Sequence, residues 1–326
     1  MKMRARYITY ILAGIAVISA IFLTKDKIAE ASNKVYLNET DLTLELGHYR
    51  TLKVYGSKQK PTFKSANNRA ATVSSNGKVT AKGWGSTTIY TYVGNKTLRT
   101  KVTIVQMNKK DLTLLPGKTY QLALWGSNNS TTWKSSNSKV ATVSDKGLVT
   151  AVGNGTATIT ATFNGKKITS KITVFGLNHD SVVLEYGGRF SSTRANYGSK
   201  VKLQAVGTKD KATWSSSNTK VATVDKNGKV TAKGPGNAKI TVEVNGSKVS
   251  TDIKVLQMEH SQLELKKGQT FDLNVLGTNN DISWRTLNNT VVKVDDNGVV
   301  TAVGSGTTKV IAEVDGMKIR TIITVK

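Results

Sequence analysis

The residues best equipped for recognition chemistry lie in one short stretch. Between Leu184 and Gly198 the chain places Tyr186, Arg189, Phe190, Arg194 and Tyr197, with Gly187-Gly188 and Ser191-Ser192 among them. Aromatic rings offer flat faces to sugar rings, and guanidinium groups pair with carboxylates or phosphates through two parallel hydrogen bonds. Rings and arginines in alternation therefore suit a polysaccharide or another anionic polymer. The plainer alternative is an extra hairpin whose rings lie on their own sheet. A second candidate is Trp84, held between Gly83 and Gly85, a turn setting that leaves the ring in solvent; folding against a neighbouring loop is its plainer alternative.

Other chemistries find no residues to carry them. The chain has no cysteine, which excludes disulfides, thiolate metal sites and a cysteine nucleophile. The three histidines are His48, His179 and His260, and the last two sit at the same position ahead of Val182 and Leu263. One imidazole per linker does not make a metal site. Asp295-Asp296-Asn297-Gly298 resembles part of a calcium loop but lacks the distal glutamate, so a hairpin turn explains it better. No serine–histidine–acid frame stands out, and the Gly-x-Gly pairs open onto more strand rather than onto the helix that a phosphate loop needs. No enzyme activity, cofactor or metal is expected.

What positions the candidates is a repeat. Four aromatic residues, Phe63, Trp133, Trp214 and Trp284, are each followed 14, 20 and 22 residues later by glycine, as in Gly147, Gly153 and Gly155 after Trp133. The aromatics lie 70, 81 and 70 residues apart, and the 11 extra residues fall in the stretch from Leu184 to Gly198. A unit of about 70 residues can bury a core of its own. Each copy reads as short strands: in the second, 112–115, 120–124, 131–134, 140–143, 148–151, 156–162 and 167–175. Ala157, Ile159 and Ala161 alternate with threonines, a period-two pattern. Asn-Gly and Lys-Gly pairs mark hairpin turns. Seven short strands with one aromatic on the third indicate an all-β, two-sheet sandwich, four times over. Trp133, Trp214 and Trp284 are then expected in the core. Trp125 is expected there too, because its column of the repeat also holds Tyr55, Val206 and Leu276.

The run from Trp133 through Ser135-Ser136-Asn137 and Val140-Ala141-Thr142-Val143 to Gly153-Asn154-Gly155-Thr156 resembles the bacterial immunoglobulin-like domain of group 2, and Trp214 to Ile240 repeats it. Residues 284–310 keep the frame with Arg285-Thr286-Leu287 in place of the serines, and residues 63–89 use Phe63 in place of tryptophan. The stretch 126–132 is shorter than the family's usual connection. The resemblance implies tandem Ig-like sandwiches, stalk modules in exported and surface proteins including adhesins of the intimin and invasin type. The boundaries expected are 1–31 for an export segment and 32–107, 108–176, 177–257 and 258–326 for the four modules.

Residues 1–31 carry Lys2, Arg4 and Arg6, then an uncharged apolar run from Tyr7 to Thr24, then Ala29-Glu30-Ala31. This fits either a cleaved signal peptide or a retained membrane anchor formed by residues 7–24. Both place the rest of the chain outside the cytoplasm, secreted, at the cell surface or membrane-anchored. Ile322–Val325 reads as a final strand with no sorting signal after it, so attachment is expected from residues 1–31, from charge, or not at all. The formal charge is +26. Residues 32–107 hold 12 basic and 3 acidic residues, 108–176 hold 9 and 2, 177–257 hold 13 and 6, and 258–326 hold 8 and 8. A field of that sign draws anionic polymers, whether teichoic acid, acidic polysaccharide or extracellular DNA, without reading nucleic-acid sequence; lysine used only for solubility is the alternative. The function expected is a non-enzymatic, semi-rigid surface stalk of roughly 120–160 Å that contacts a cell-envelope or host-surface polysaccharide or protein. A dedicated binder of anionic envelope polymers is the alternative.

Overall fold

The computed structural model describes residues 34–128, 130–187 and 199–326. The described residues form strands and turns with no helix, so none among them is long and apolar enough to cross a membrane. Residues 1–31, expected to be a signal peptide or membrane anchor, and with them the apolar run 7–24, lie outside the described residues.

The same pair of sheets recurs four times. In the second module one sheet orders Asp111–Leu114, Lys166–Val174, Gly155–Phe163 and Thr132–Ser135, with the first pair parallel and the others antiparallel. The facing sheet orders Thr119–Gln121, Leu148–Ala151 and Ala141–Val143, all antiparallel. The first, third and fourth modules repeat this plan around Gly85–Val93, Gly236–Val244 and Gly306–Val314. Alternation follows from the sequence. In Gly155–Phe163 the side chains of Ala157, Ile159, Ala161 and Phe163 are buried while the threonines between them face outward. Each module encloses its own apolar cluster, built around Ile89, Ile159, Ile240 and Val310.

The aromatic-to-glycine frame has a direct physical cause. Gly147 lies in a hairpin with φ +83°, and a Cβ there would come within 2.9 Å of the Trp133 ring. Gly77, Gly228 and Gly298 meet Phe63, Trp214 and Trp284 in the same way. Only a residue without a side chain lets the hairpin close over the ring. These four aromatics are partly buried and pack against the module clusters, as expected of the three tryptophans.

The serine–asparagine motif is structural as well. Ser135 Oγ donates to Ala141 O at 2.6 Å and accepts from Asn137 N, while Asn137 Oδ1 accepts from Lys139 N. This closes the turn where the chain passes between sheets. Ser216 and Asn218 do the same, and Thr286 with Asn288 preserve the turn in the fourth module. In the acidic turn of that module Asp295 Oδ1 accepts from Asn297 N and Val299 N at 3.0 and 2.8 Å, a hairpin arrangement.

Candidate binding surfaces at the module junctions

Sequence periodicity places short linkers after Ile104, Val174 and Val255, but the structure has strands running through them. Lys96–Met107 pairs with two strands of the first module and then with Leu124–Trp125 of the second. Ser247–Met258 likewise serves the third module and then Val275–Leu276 of the fourth. At the middle junction Lys166–Val174 is followed almost at once by Gly176–Leu177, which pairs with Ala205–Val206. At the first and third junctions the closing strand of one sandwich is thus the opening strand of the next, while at the middle one a break at Phe175 separates the two.

Three further devices hold each junction. A glycine follows the short pairing strand at Gly126, Gly207 and Gly277. At Gly126, with φ +81°, a Cβ would overlap the carbonyl oxygen of Ile104 in the preceding module, and Gly277 stands against Val255 in the same way. An apolar side chain fills the gap: Val105, then Phe175, then Leu256, all fully buried. Finally, the hairpin that turns at Asn164, Asn245 or Asp315 reaches back to the module before it. These three are the non-glycine residues of positive φ among the described residues, at 47°, 50° and 52°. Asn164 and Asn245 donate to Thr43 Oγ1 and Thr113 Oγ1, each at 3.2 Å, and Ser247 Oγ donates to Thr113 O at 3.0 Å. Asp315 accepts from Lys254 Nζ at 2.9 Å. Burial works against ionisation of Asp315, yet the hydrogen bonds from Lys254 and Asn280, with the Lys254 charge, hold its carboxyl below the usual range.

Of the candidate residues, Trp84 and Tyr186 fall at these junctions. Trp84 is 57% exposed, as expected, but it is not alone. Trp125 of the second module lies against it with ring centroids 6.0 Å apart at 39°. Trp125 is itself 44% exposed, so its assignment to the core is wrong. The column it shares with Val206 and Leu276 belongs to the junction surface, where those residues too are only half-buried. Tyr55, the fourth member, stacks on Tyr36 at 5.3 Å, with both rings in solvent.

Tyr186 is partly exposed, and its N–H donates to Leu256 O at the third junction. With Glu185, Gln257, Glu259, Lys318 and Arg320 it lines a small cavity of about 90 Å³ between the third and fourth modules. Burial raises the Glu185 pKa, and the Arg320 charge offsets part of that rise. Arg189, Phe190, Arg194 and Tyr197 lie outside the described residues.

Comparison with known proteins agrees with this architecture over part of the chain. The bacterial Ig-like domain (group 2) matches at two tandem positions, residues 33–104 and 101–174, and the intimin immunoglobulin-like domain matches residues 196–245. The chain is similar to ice-binding protein 1 of Shewanella frigidimarina, with 24% identity over 309 residues, 81% of this chain and 34% of that protein. It is also 36% identical over 132 residues to an uncharacterized protein of Clostridium acetobutylicum, covering 35% of this chain and 14% of that one. It therefore spans about a third of the first relative and far less of the second. Among solved structures, a C-terminal fragment of intimin in complex with the intimin-binding domain of its translocated receptor aligns at 19% identity and TM-score 0.30, over 46% of this chain and 68% of that one. Invasin, a bacterial integrin-binding protein, aligns at 14% identity and TM-score 0.25, over 90% and 79%.

Proposed function

We propose that this chain is an extracytoplasmic, non-enzymatic surface rod of four Ig-like modules that presents binding surfaces at a distance from the cell. The observation that carries the reading is the pair of strands, Lys96–Met107 and Ser247–Met258, that each belong to two successive modules. Bending such a junction would break ladder hydrogen bonds and open the apolar plug at Val105 or Leu256, so the modules are held in a fixed relation. Intimin, solved in complex with a domain of its receptor, and invasin, an integrin-binding protein, are what an adhesion role by analogy draws on. The extended rod is tested by small-angle scattering from the exported chain. The expected result is a maximum dimension of roughly 120–160 Å; a compact particle would end the proposal.

A second reading, a binder of anionic envelope polymers such as teichoic acid, is favoured by the charge, which sits on the first three modules and is absent from the fourth. Retention on purified cell wall, titrated with salt, tests it with the Arg189→Ala/Arg194→Ala variant beside the wild type. Weak retention that vanishes at moderate salt and ignores the two arginines supports the rod alone. Loss of retention on their removal supports the binder and places it in the inserted stretch.

A further inference from the structure

The junction column that accepts leucine and valine in the last two modules holds aromatic rings in the first two, and there each ring has a partner. Tyr55 is paired with Tyr36 by strand register, and Trp125 is stacked with Trp84. Tyr36, Tyr55, Trp84 and Trp125 are 49%, 44%, 57% and 44% exposed. At the next two junctions the place of Trp84 is taken by Asn154 and Pro235, and that of Trp125 by Val206 and Leu276. One ring of each pair, Tyr55 or Trp125, therefore recurs in the same column one module apart, its partner coming from a different position each time, and the series stops midway along the chain.

Nothing in the sandwich requires them. Val206 with Asn154 and Leu276 with Pro235 close the same backbone around the same glycine. Rings kept in solvent where smaller residues serve the fold point to an external partner. The chemistry around them narrows its class. Lys34, Lys53 and Lys82 each stand two residues before Tyr36, Tyr55 and Trp84, all are exposed, and none makes an ion pair with a described residue. Ahead of Val206 and Leu276 the residues are Gln204 and Asn274, ahead of Trp125 it is Ala123, and Lys233 stands in the same relation to Pro235. Residues 32–176, which carry these rings, hold 21 basic and 5 acidic residues (12 and 9 against 3 and 2), whereas on the last two modules Lys248, Lys318 and Lys239 are paired with Glu243, Glu313 and Asp252.

We infer that Tyr36–Tyr55 and Trp84–Trp125 are two stacking platforms for one acidic polysaccharide chain laid along the first two modules, with Lys34, Lys53 and Lys82 meeting its carboxylates. Flat rings stack on the apolar faces of sugars, and unpaired ammonium groups select a polymer that carries charge on those sugars. A purely charge-seeking surface would not need the rings, and a purely apolar one would not sit on modules with this excess of basic residues. The inference does not depend on the stiffness of the rod, and its failure would leave the rod intact.

The test uses the full chain with alginate as the carboxylated polysaccharide, dextran as the neutral one and polyphosphate as charge without sugar, at about 0.15 M salt. Alginate is expected to bind and to change tryptophan fluorescence, and dextran is not. Trp84→Ala/Trp125→Ala and Tyr36→Ala/Tyr55→Ala should each weaken alginate binding about tenfold while changing polyphosphate binding less than about twofold. Lys34→Gln/Lys53→Gln/Lys82→Gln should weaken both. Trp84→Phe/Trp125→Phe keeps flat rings and should retain alginate even if the alanine variant is less stable. The inference is overturned if wild type ignores alginate, if dextran binds as well, if ring removal leaves alginate affinity unchanged, or if the phenylalanine variant loses it.

Discussion

The first and third junctions share one backbone plan and differ in almost every side chain that faces solvent. At both, a closing strand runs on into the next module, and a glycine of positive φ, Gly126 or Gly277, lies against the carbonyl of Ile104 or Val255. Around the first stand Trp84 and Trp125 on modules rich in lysine. Around the third stand Pro235 and Leu276, with Lys254 paired to Asp315 and Glu185 beside Arg320. The difference separates two jobs. In the proposed rod, strand continuity and the glycine hold the junction, while the residues draped over them are free to vary, and at the first junction these are exposed rings.

The comparison breaks most visibly if the shared elements are touched. Trp133→Ala removes a ring that packs on the core and under Gly147, and should cost about 3–5 kcal/mol in denaturant unfolding; Trp84→Ala, at the other end of the exposure scale, should stay within about 0.5 kcal/mol. An equal loss for both would mean that Trp84 belongs to the core after all. Gly126→Val and Gly277→Val should each cost about 2–4 kcal/mol, because a β-branched residue is strained at that φ and its Cβ overlaps the neighbouring carbonyl. Both should loosen their junction by scattering; a change confined to one would show that the two junctions do not share a plan.

Smaller effects sharpen the contrast at the third junction. Asp315 has a lowered folded pKa, so its contribution is present above the unfolded carboxylate value near 3.8 and is lost as pH falls below it. Asp315→Ala should therefore lower stability at pH 7 by less than about 1 kcal/mol, and have little effect well below pH 3.8. Glu185 has the opposite sign. Its raised pKa favours the fold at low pH and disfavours it as pH rises through the folded value, so Glu185→Gln should stabilise slightly at pH 7 and not at pH 3.5. Melting scans of both variants across that range check the two signs, and parallel curves would refute them. The smallest effect is expected from Ser170→Ala: this buried hydroxyl has no hydrogen-bond partner, whereas the equivalent Thr100 donates to Glu39 O at 2.7 Å. Its loss should be neutral to slightly stabilising, while Thr100→Ala should cost about 1 kcal/mol.

Much of the interior was legible in the chain because the frame reports contacts that recur. A ring and a glycine 14 residues apart are one contact, and Leu148–Ala151 alternates as read. The junctions were harder to read. An alternating pattern says which face is buried but not which sheet a strand joins, so the continuation of Ile104 into Met107 looked like a linker. Trp125 was misplaced for a related reason: Val206 and Leu276 suggested a buried column, though they are half-exposed residues at a seam between modules. No single-module pattern marks a position whose neighbours come from the module before.

The claim that matters most is that the junctions are fixed. The chain has no cysteine, so two can be introduced cleanly for spin labels. Asn76→Cys and Lys146→Cys place labels on exposed hairpins of the first and second modules. Pulsed electron–electron resonance between them should give one narrow distance distribution that broadens in the Gly126→Val background. A broad or multiply peaked distribution in the unmodified junction would contradict a rod.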